Sequence, residues 1–177
     1  GRSKVIKGHT GAVRCVVFSQ DGRRLLSSSD DKTIKLWSIA NQKFLLTMNG
    51  HTNWIRSVCY SPDDRLIASA SDDKTVKVWD PKQNVSIYTL YDHQDHVNQV
   101  QFSPDGNCIA ACSSDRTIKI WDIRTRRLMQ HYNAHEDMVN QITYHPSGNY
   151  LLSCSNDGTM KIWDTKEGRM FYTLSGH

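Results

Sequence analysis

Tryptophan recurs at 42-residue steps, at Trp37, Trp79, Trp121 and Trp163, and histidine keeps the same step at His9, His51, His93, His135 and His177. A fixed period constrains a chain more than any local propensity, because every unit must solve the same packing problem in the same way. The stretches ending at the tryptophans read DDKTIKLW, DDKTVKVW, SDRTIKIW and NDGTMKIW, and upstream of each lies a turn, SQDG, SPDD, SPDG or HPSG. Four copies cover essentially the whole chain, as units 8–49, 50–91, 92–133 and 134–175. Residues 1–7 form a lead-in whose Ser3–Lys7 stretch resembles a fourth strand, and 176–177 open a further unit.

Each unit reads as short strands. After the histidine comes a β-branched apolar run, AVRCVVF at 12–18 or HVNQVQF at 96–102. The alternation at Val97, Val100 and Phe102 is imperfect, which suits a strand covered on both faces. A Pro/Asp/Gly turn stops the run, and RLLSSS (24–29) or RLIASAS (65–71) makes a second strand. A tight turn at Asp31 or Asp73 leads to a third strand such as TIKLW, with apolar residues at alternate positions. A fourth, KFLLTM (43–48) or MFYTL (170–174), leads on toward the next histidine. Four antiparallel strands per 42 residues, with Trp-Asp closing the third, is the pattern of a propeller blade.

The Gly-His pairs at 8–9, 50–51 and 176–177 and the Trp-Asp pairs at 79–80, 121–122 and 163–164 resemble the WD-repeat β-propeller family over nearly all of the chain. The departures are Ser38 after Trp37, and Asp92 and Ala134 before His93 and His135. The resemblance implies an all-β fold of four four-stranded antiparallel blades, part of a ring of seven. It also implies a hydrogen-bonded tetrad in each blade: His9, Ser27, Asp31, Trp37; His51, Ser69, Asp73, Trp79; and His135, Ser153, Asp157, Trp163. The third set, His93, Asp115 and Trp121, has Ala111 in the serine column, so a shortened network is expected there. The chemistry is sound without the family, since a buried indole N–H, hydroxyl and imidazole each need a partner.

Ser, His and Asp together invite a hydrolase reading. A catalytic triad, however, needs one exposed nucleophile beside an oxyanion hole, whereas this set recurs in every unit and loses its hydroxyl in one. No catalytic residue and no cofactor are therefore expected. The pairs His93/His96 and His131/His135 have ligand-like spacing, but His93 and His135 belong to the tetrad column and no cysteine pair joins them, so no metal is expected. Cys15, Cys59, Cys108, Cys112 and Cys154 form an odd set without a C-x-x-C pair, and read as buried reduced thiols. The column Lys35, Lys77, Lys119, Lys161 reads as stems lying over apolar surface with solvated heads. A net charge of +4 falls short of a dedicated nucleic-acid binder, and no apolar run approaches a membrane span. Neither partner is expected, and the chain reads as soluble and intracellular.

Repeated positions build the blade, so selectivity falls to variable loop positions. Three residues after the histidines stand Trp54, His96 and Met138, and five after stand Arg14 and Arg56; with Lys32, Lys74 and Arg116 these line one rim. Trp54 reads two ways, as an interface anchor beside Arg56 or as a side chain folded onto its own blade. On the opposite face Arg124, Arg126 and Arg127 make a basic stretch, which suits either solvent or an acidic partner surface such as tubulin.

Three longer stretches, 51–80, 124–153 and 167–177, are similar to the later blades of the proteome of centriole protein 1 family, WD-repeat proteins of centrioles and basal bodies. That similarity implies a non-enzymatic scaffold in the cytoskeleton that stabilises microtubule triplets through tubulin and other centriolar proteins. The alternative is a WD-repeat adaptor in another assembly, such as a ubiquitin ligase or a signalling complex. Four blades close poorly, so further blades or a second copy are expected to complete the ring, and the outer blades should expose apolar faces.

Overall fold

The computed structural model describes residues 5–176. The first blade holds β1 (Val13–Phe18), β2 (Arg24–Ser29), β3 (Thr33–Ser38) and β4 (Lys43–Asn49). The second holds β5 (Ile55–Tyr60), β6 (Ile67–Ser71), β7 (Val76–Asp80) and β8 (Val85–Leu90). The third holds β9 (Val97–Phe102), β10 (Cys108–Ser113), β11 (Thr117–Asp122) and β12 (Leu128–Asn133). The fourth holds β13 (Val139–Tyr144), β14 (Tyr150–Ser155), β15 (Thr159–Asp164) and β16 (Arg169–Ser175). Each is an antiparallel sheet with its strands in chain order. Within the lead-in Val5–Lys7 form no strand, contrary to expectation, because no neighbouring strand pairs with them among the described residues. Ser3 and Lys4, like His177, lie outside the described residues.

The imperfect alternation of the first strand of each blade has a cause. Val97 faces Ser113 and Gln99 faces Cys112, so Asn98 is an extra residue, a β-bulge. The same slip separates Val13 from Cys15, Ile55 from Ser57 and Val139 from Gln141. Arg14, Arg56, Asn98 and Asn140 are therefore the four bulged residues, and a bulge aims its side chain away from the ladder.

The first strands of successive blades pack side by side, so the blades fan around one axis. Leu26, Ile34, Leu36 and Met48 of blade one bury against Ile55, Val58, Tyr60, Ile67 and Trp79 of blade two. The same columns repeat between blades two and three and between three and four. At the two ends of the fan the columns have nothing to cover. Ile55, Val58 and Tyr60 are 1%, 2% and 6% exposed, whereas their blade-one counterparts Val13, Val16 and Phe18 are 51%, 59% and 66% exposed. At the other end Tyr144, Leu152, Ile162 and Phe171 line an open apolar hollow.

Polar ties stitch the seams. The side-chain oxygens of Gln99 and Gln101 accept the Ile142 and Tyr144 amides at 2.7 and 3.1 Å. Asp64 stands where the other three turns have Gly22, Gly106 and Gly148, all four with positive φ. A non-glycine residue there is strained, but the Asp64 carboxylate accepts the Gln20 and Asp21 amides of blade one at 2.7 and 2.9 Å. The lysine column departs from the expectation of solvated heads. Lys35 and Lys77 donate to Thr47 and Thr89 at 2.8 Å, Lys119 bonds His131 at 2.7 Å, and Lys161 donates to the Ala134 carbonyl at 2.7 Å. The fourth strand supplies the first three acceptors twelve residues downstream, a relation visible only once β3 and β4 are in register. All five cysteines are free thiols, but only Cys112 is fully buried.

Candidate protein-interaction site

In blade two His51 Nδ1 lies 2.7 Å from Asp73 Oδ2, His51 Nε2 lies 2.7 Å from Ser69 Oγ, and the Trp79 indole donates to that Oγ at 2.8 Å. The carboxylate can only accept, so Nδ1 carries the proton and Nε2 receives the serine hydroxyl. The chain runs one way, indole N–H to serine, serine O–H to imidazole, imidazole N–H to aspartate, and each bond polarises the next. Blade one repeats it with His9, Asp31, Ser27 and Trp37, and blade four with His135, Asp157, Ser153 and Trp163, at 2.7–2.9 Å. Asp-His-Ser in this order matches a hydrolytic triad in distance, yet Ser69 and Ser153 are 0% and 1% exposed and the indole occupies the serine oxygen. A nucleophile that no substrate reaches performs no chemistry.

Burial works to raise the Asp31 carboxyl, but hydrogen bonds from Thr33, His9 and the Thr10 amide outweigh it and bring the group to about 2. Asp73, Asp115 and Asp157 are held lower still by the same kind of network. Burial lowers the His51 and His135 imidazoles, partly offset by their aspartates. A depressed folded value means the unfolded chain binds the proton first, so stability is lost as pH falls. We expect urea midpoints to be flat between pH ~7 and ~8, to decline below ~6.5 as His51 and His135 are forced to charge on unfolding, and to decline above ~8.5, where unfolding lets the buried Cys59 and Cys112 thiols ionise. A second acid decline belongs below ~4, where Asp31 joins. A midpoint that rose on acidification from 7 to 5 would contradict this assignment.

Blade three solves its missing hydroxyl differently from a simple shortening. His93 Nδ1 keeps Asp115 at 2.8 Å, but the Trp121 indole donates to Asp92 Oδ2 at 2.7 Å. His93 Nε2 is left buried with no partner. Asp92 occupies the glycine column, so the two departures of this unit compensate each other for the indole and not for the imidazole. Ala111→Ser should therefore stabilise the chain by about 1–2 kcal/mol, by giving that nitrogen a donor; chemical denaturation with and without the substitution reads it.

Antiparallel order puts the histidine loops and the β2–β3, β6–β7 and β10–β11 turns at one end of the blades, and the loop carrying Arg124, Arg126 and Arg127 at the other. At the first end the bulged Arg14 grips Asp30 through Nε and Nη2 at 2.7 and 2.5 Å, and Arg56 grips Asp72 at 2.6 and 2.8 Å. These bonds hold the Asp30 carboxyl below the usual range and raise both arginines. The two guanidinium carbons lie 5.2 and 5.5 Å from the centre of the Trp54 ring. Trp54 is thus braced by blade one as well as its own blade and stays 41% exposed. Its backbone is pinned too, its amide by Asn53 Oδ1 at 2.8 Å and its carbonyl by the Asp72 amide at 2.9 Å.

His96 sits 3.7 Å from Asp72 across the next seam, and Met138 holds the corresponding place on blade four. Lys32, Lys74 and Arg116 are exposed, but their column has a backbone role as well. They take φ of 69°, 71° and 71°, the left-handed corner that Gly158 fills in blade four. On the opposite face Arg126 lies over Tyr88 of blade two, 4.7 Å from the ring centre, while Arg124 and Arg127 are exposed. Asp30 and Asp72 are the partners that no single unit of the sequence marks out. Their signal was their place 16 residues after each bulged arginine, where blades three and four have Ser114 and Asn156 facing Asn98 and Asn140. Among the described residues no group of three or more His, Cys, Asp or Glu is placed to hold a metal ion.

The family model for the WD domain, G-beta repeat (WD40), matches residues 2–38, 42–80, 84–122 and 126–164. The chain belongs to the WD40 family. Curated WD40 relatives match it one repeat at a time. WD repeat-containing protein 18 of Danio rerio is 38% identical over 47 residues, 27% of this chain and 11% of that protein. The Notchless protein homolog of Arabidopsis thaliana is 47% identical over 45 residues, 25% and 10% of the two chains. The ribosome biogenesis protein BOP1 homolog of Drosophila melanogaster is 46% identical over 46 residues, 26% and 6% of the two. The matches thus span only about a tenth or less of each relative, and the names do not converge on one assembly. What WD40 membership establishes is a protein-interaction module, and no enzymatic family is indicated.

Proposed function

We propose that these WD40 blades serve a non-enzymatic scaffold of the centriole or basal body, one that steadies microtubule triplets by binding tubulin and other proteins. The observation that carries this reading is the similarity of stretches 51–80, 124–153 and 167–177 to centriolar WD-repeat proteins. The geometry is compatible with it: the His, Ser, Asp and Trp groups of blades one, two and four bond one another, and two rims of variable loops are left to meet partners. The basic loop at Arg124 and Arg127, exposed beside the seam that Arg126 closes, fits an acidic surface such as a microtubule wall. Completion of the ring by further blades or by a second copy belongs to the same reading, as does a cytoskeletal location.

Co-sedimentation with stabilised microtubules tests it. The chain should pellet with them, and Arg124→Glu with Arg127→Glu should cut the bound fraction at least ~5-fold and steepen its loss with salt. Absence of pelleting would favour the second reading, an adaptor in a different assembly, to which the varied names of the curated relatives lend support.

A further inference from the structure

The braced Trp54 has a polarity that selects its occupant. Asp30 and Asp72 side chains are 14% and 4% exposed, while the Arg14 and Arg56 side chains above them are 37% and 31% exposed. The carboxylates lie beneath and the guanidinium groups face out. Each arginine uses Nε and Nη2 on its aspartate, which leaves Nη1 donors for a ligand. Lys32 and Lys74, on the turns of the same two blades, are exposed and form no salt bridge among the described residues. Two cations already occupy the ring's attractive surroundings, so a third cation is disfavoured there and the exposed edge of the indole offers apolar contact.

The same rim on blades three and four is the more acidic of the two halves, because on blades one and two each arginine is balanced by its aspartate and the exposed Lys32 and Lys74 remain. Neutral Asn98–Ser114 and Asn140–Asn156 pairs replace the arginine clamps, and Asp95, Glu136 and Asp137 stand in the loops with Arg116 as the nearby cation. An anion is therefore favoured at the first two blades relative to the last two.

We propose that Arg14, Trp54 and Arg56 form the docking point for an acidic, extended protein segment that lays an apolar or aromatic side chain against Trp54 and places carboxylates toward the Arg14, Arg56, Lys32 and Lys74 side chains. This rests on the scaffold reading and names the kind of partner one rim takes. Because the tryptophan is braced by both blades, the ordering cost of binding falls on the incoming segment alone.

The test uses the full chain and two fluorescein-labelled octapeptides, one of six glutamates with a leucine and a phenylalanine, the other with lysine for each glutamate. Anisotropy should give binding of the glutamate peptide that weakens with salt, and at least ~10-fold weaker binding of the lysine peptide. Trp54→Ala should weaken the glutamate peptide about 10-fold. Lys32→Glu with Lys74→Glu, which leaves both arginine–aspartate pairs intact, should weaken it several-fold, and circular dichroism checks that each variant is folded. Equal affinity for the two peptides, no effect of Trp54→Ala, or loss of binding on Arg124→Glu with Arg127→Glu would each overturn the proposal. The microtubule experiment reads the other rim, so pelleting without peptide binding would refute this inference and leave the scaffold reading standing.

Discussion

Trp79→Ala should cost about 4 kcal/mol in denaturant unfolding, whereas Trp54→Ala should cost only about 1 kcal/mol. The two side chains are alike in chemistry and differ in place. Trp79 is 1% exposed, fills the seam with Leu26, Ile34 and Leu36 of blade one, and supplies the indole donor of its tetrad. Its removal opens a cavity and leaves the Ser69 oxygen with one bond fewer, and those losses add. Trp54 sits on the rim, where the solvent replaces much of what is lost. Similar unfolding midpoints for both variants would mean that the seam between blades one and two contributes little to holding the chain together.

Light scattering on this 177-residue chain should detect association beyond a monomer, accompanied by strong binding of a hydrophobic dye. Val13, Val16 and Phe18 at one end and the Tyr144–Leu152–Ile162 hollow at the other present the same apolar columns that bury each other at the three internal seams. Phe18→Asp with Val16→Asp should roughly halve dye binding at little cost to folding, because both side chains already face water. Val58→Asp, in the same column as Val16, should cost about 4 kcal/mol or more, since it strands a carboxylate in a closed seam. A monomer that binds no dye would mean that the terminal sheets repack to hide these faces.

The repeat made the strands, the turns and the tetrad columns legible, since period and residue type together leave one arrangement for each unit. Four features stayed hidden for reasons of geometry. The bulge at Asn98 looked like faulty alternation because its consequence, the outward aim of one side chain, belongs to a pair of strands and not to one. The lysine heads looked solvated because their acceptors lie on the next strand. Asp64 carries no signal within its own turn, because the amides it accepts belong to the neighbouring blade. Asp92 and Ala111 each looked like an isolated lapse, and only their common neighbour Trp121 reveals that one answers the other.

The extra residue in each innermost strand also bears on how such a surface can change. Positions 14, 56, 98 and 140 are held in place by the lattice but contribute no rung to it. Exchange there, made jointly with positions 30, 72, 114 and 156 so that no charge is orphaned, rewrites the chemistry of this rim while the scaffold beneath keeps its strength. A lineage, or a protein engineer, can alter the charge this rim presents by editing eight letters.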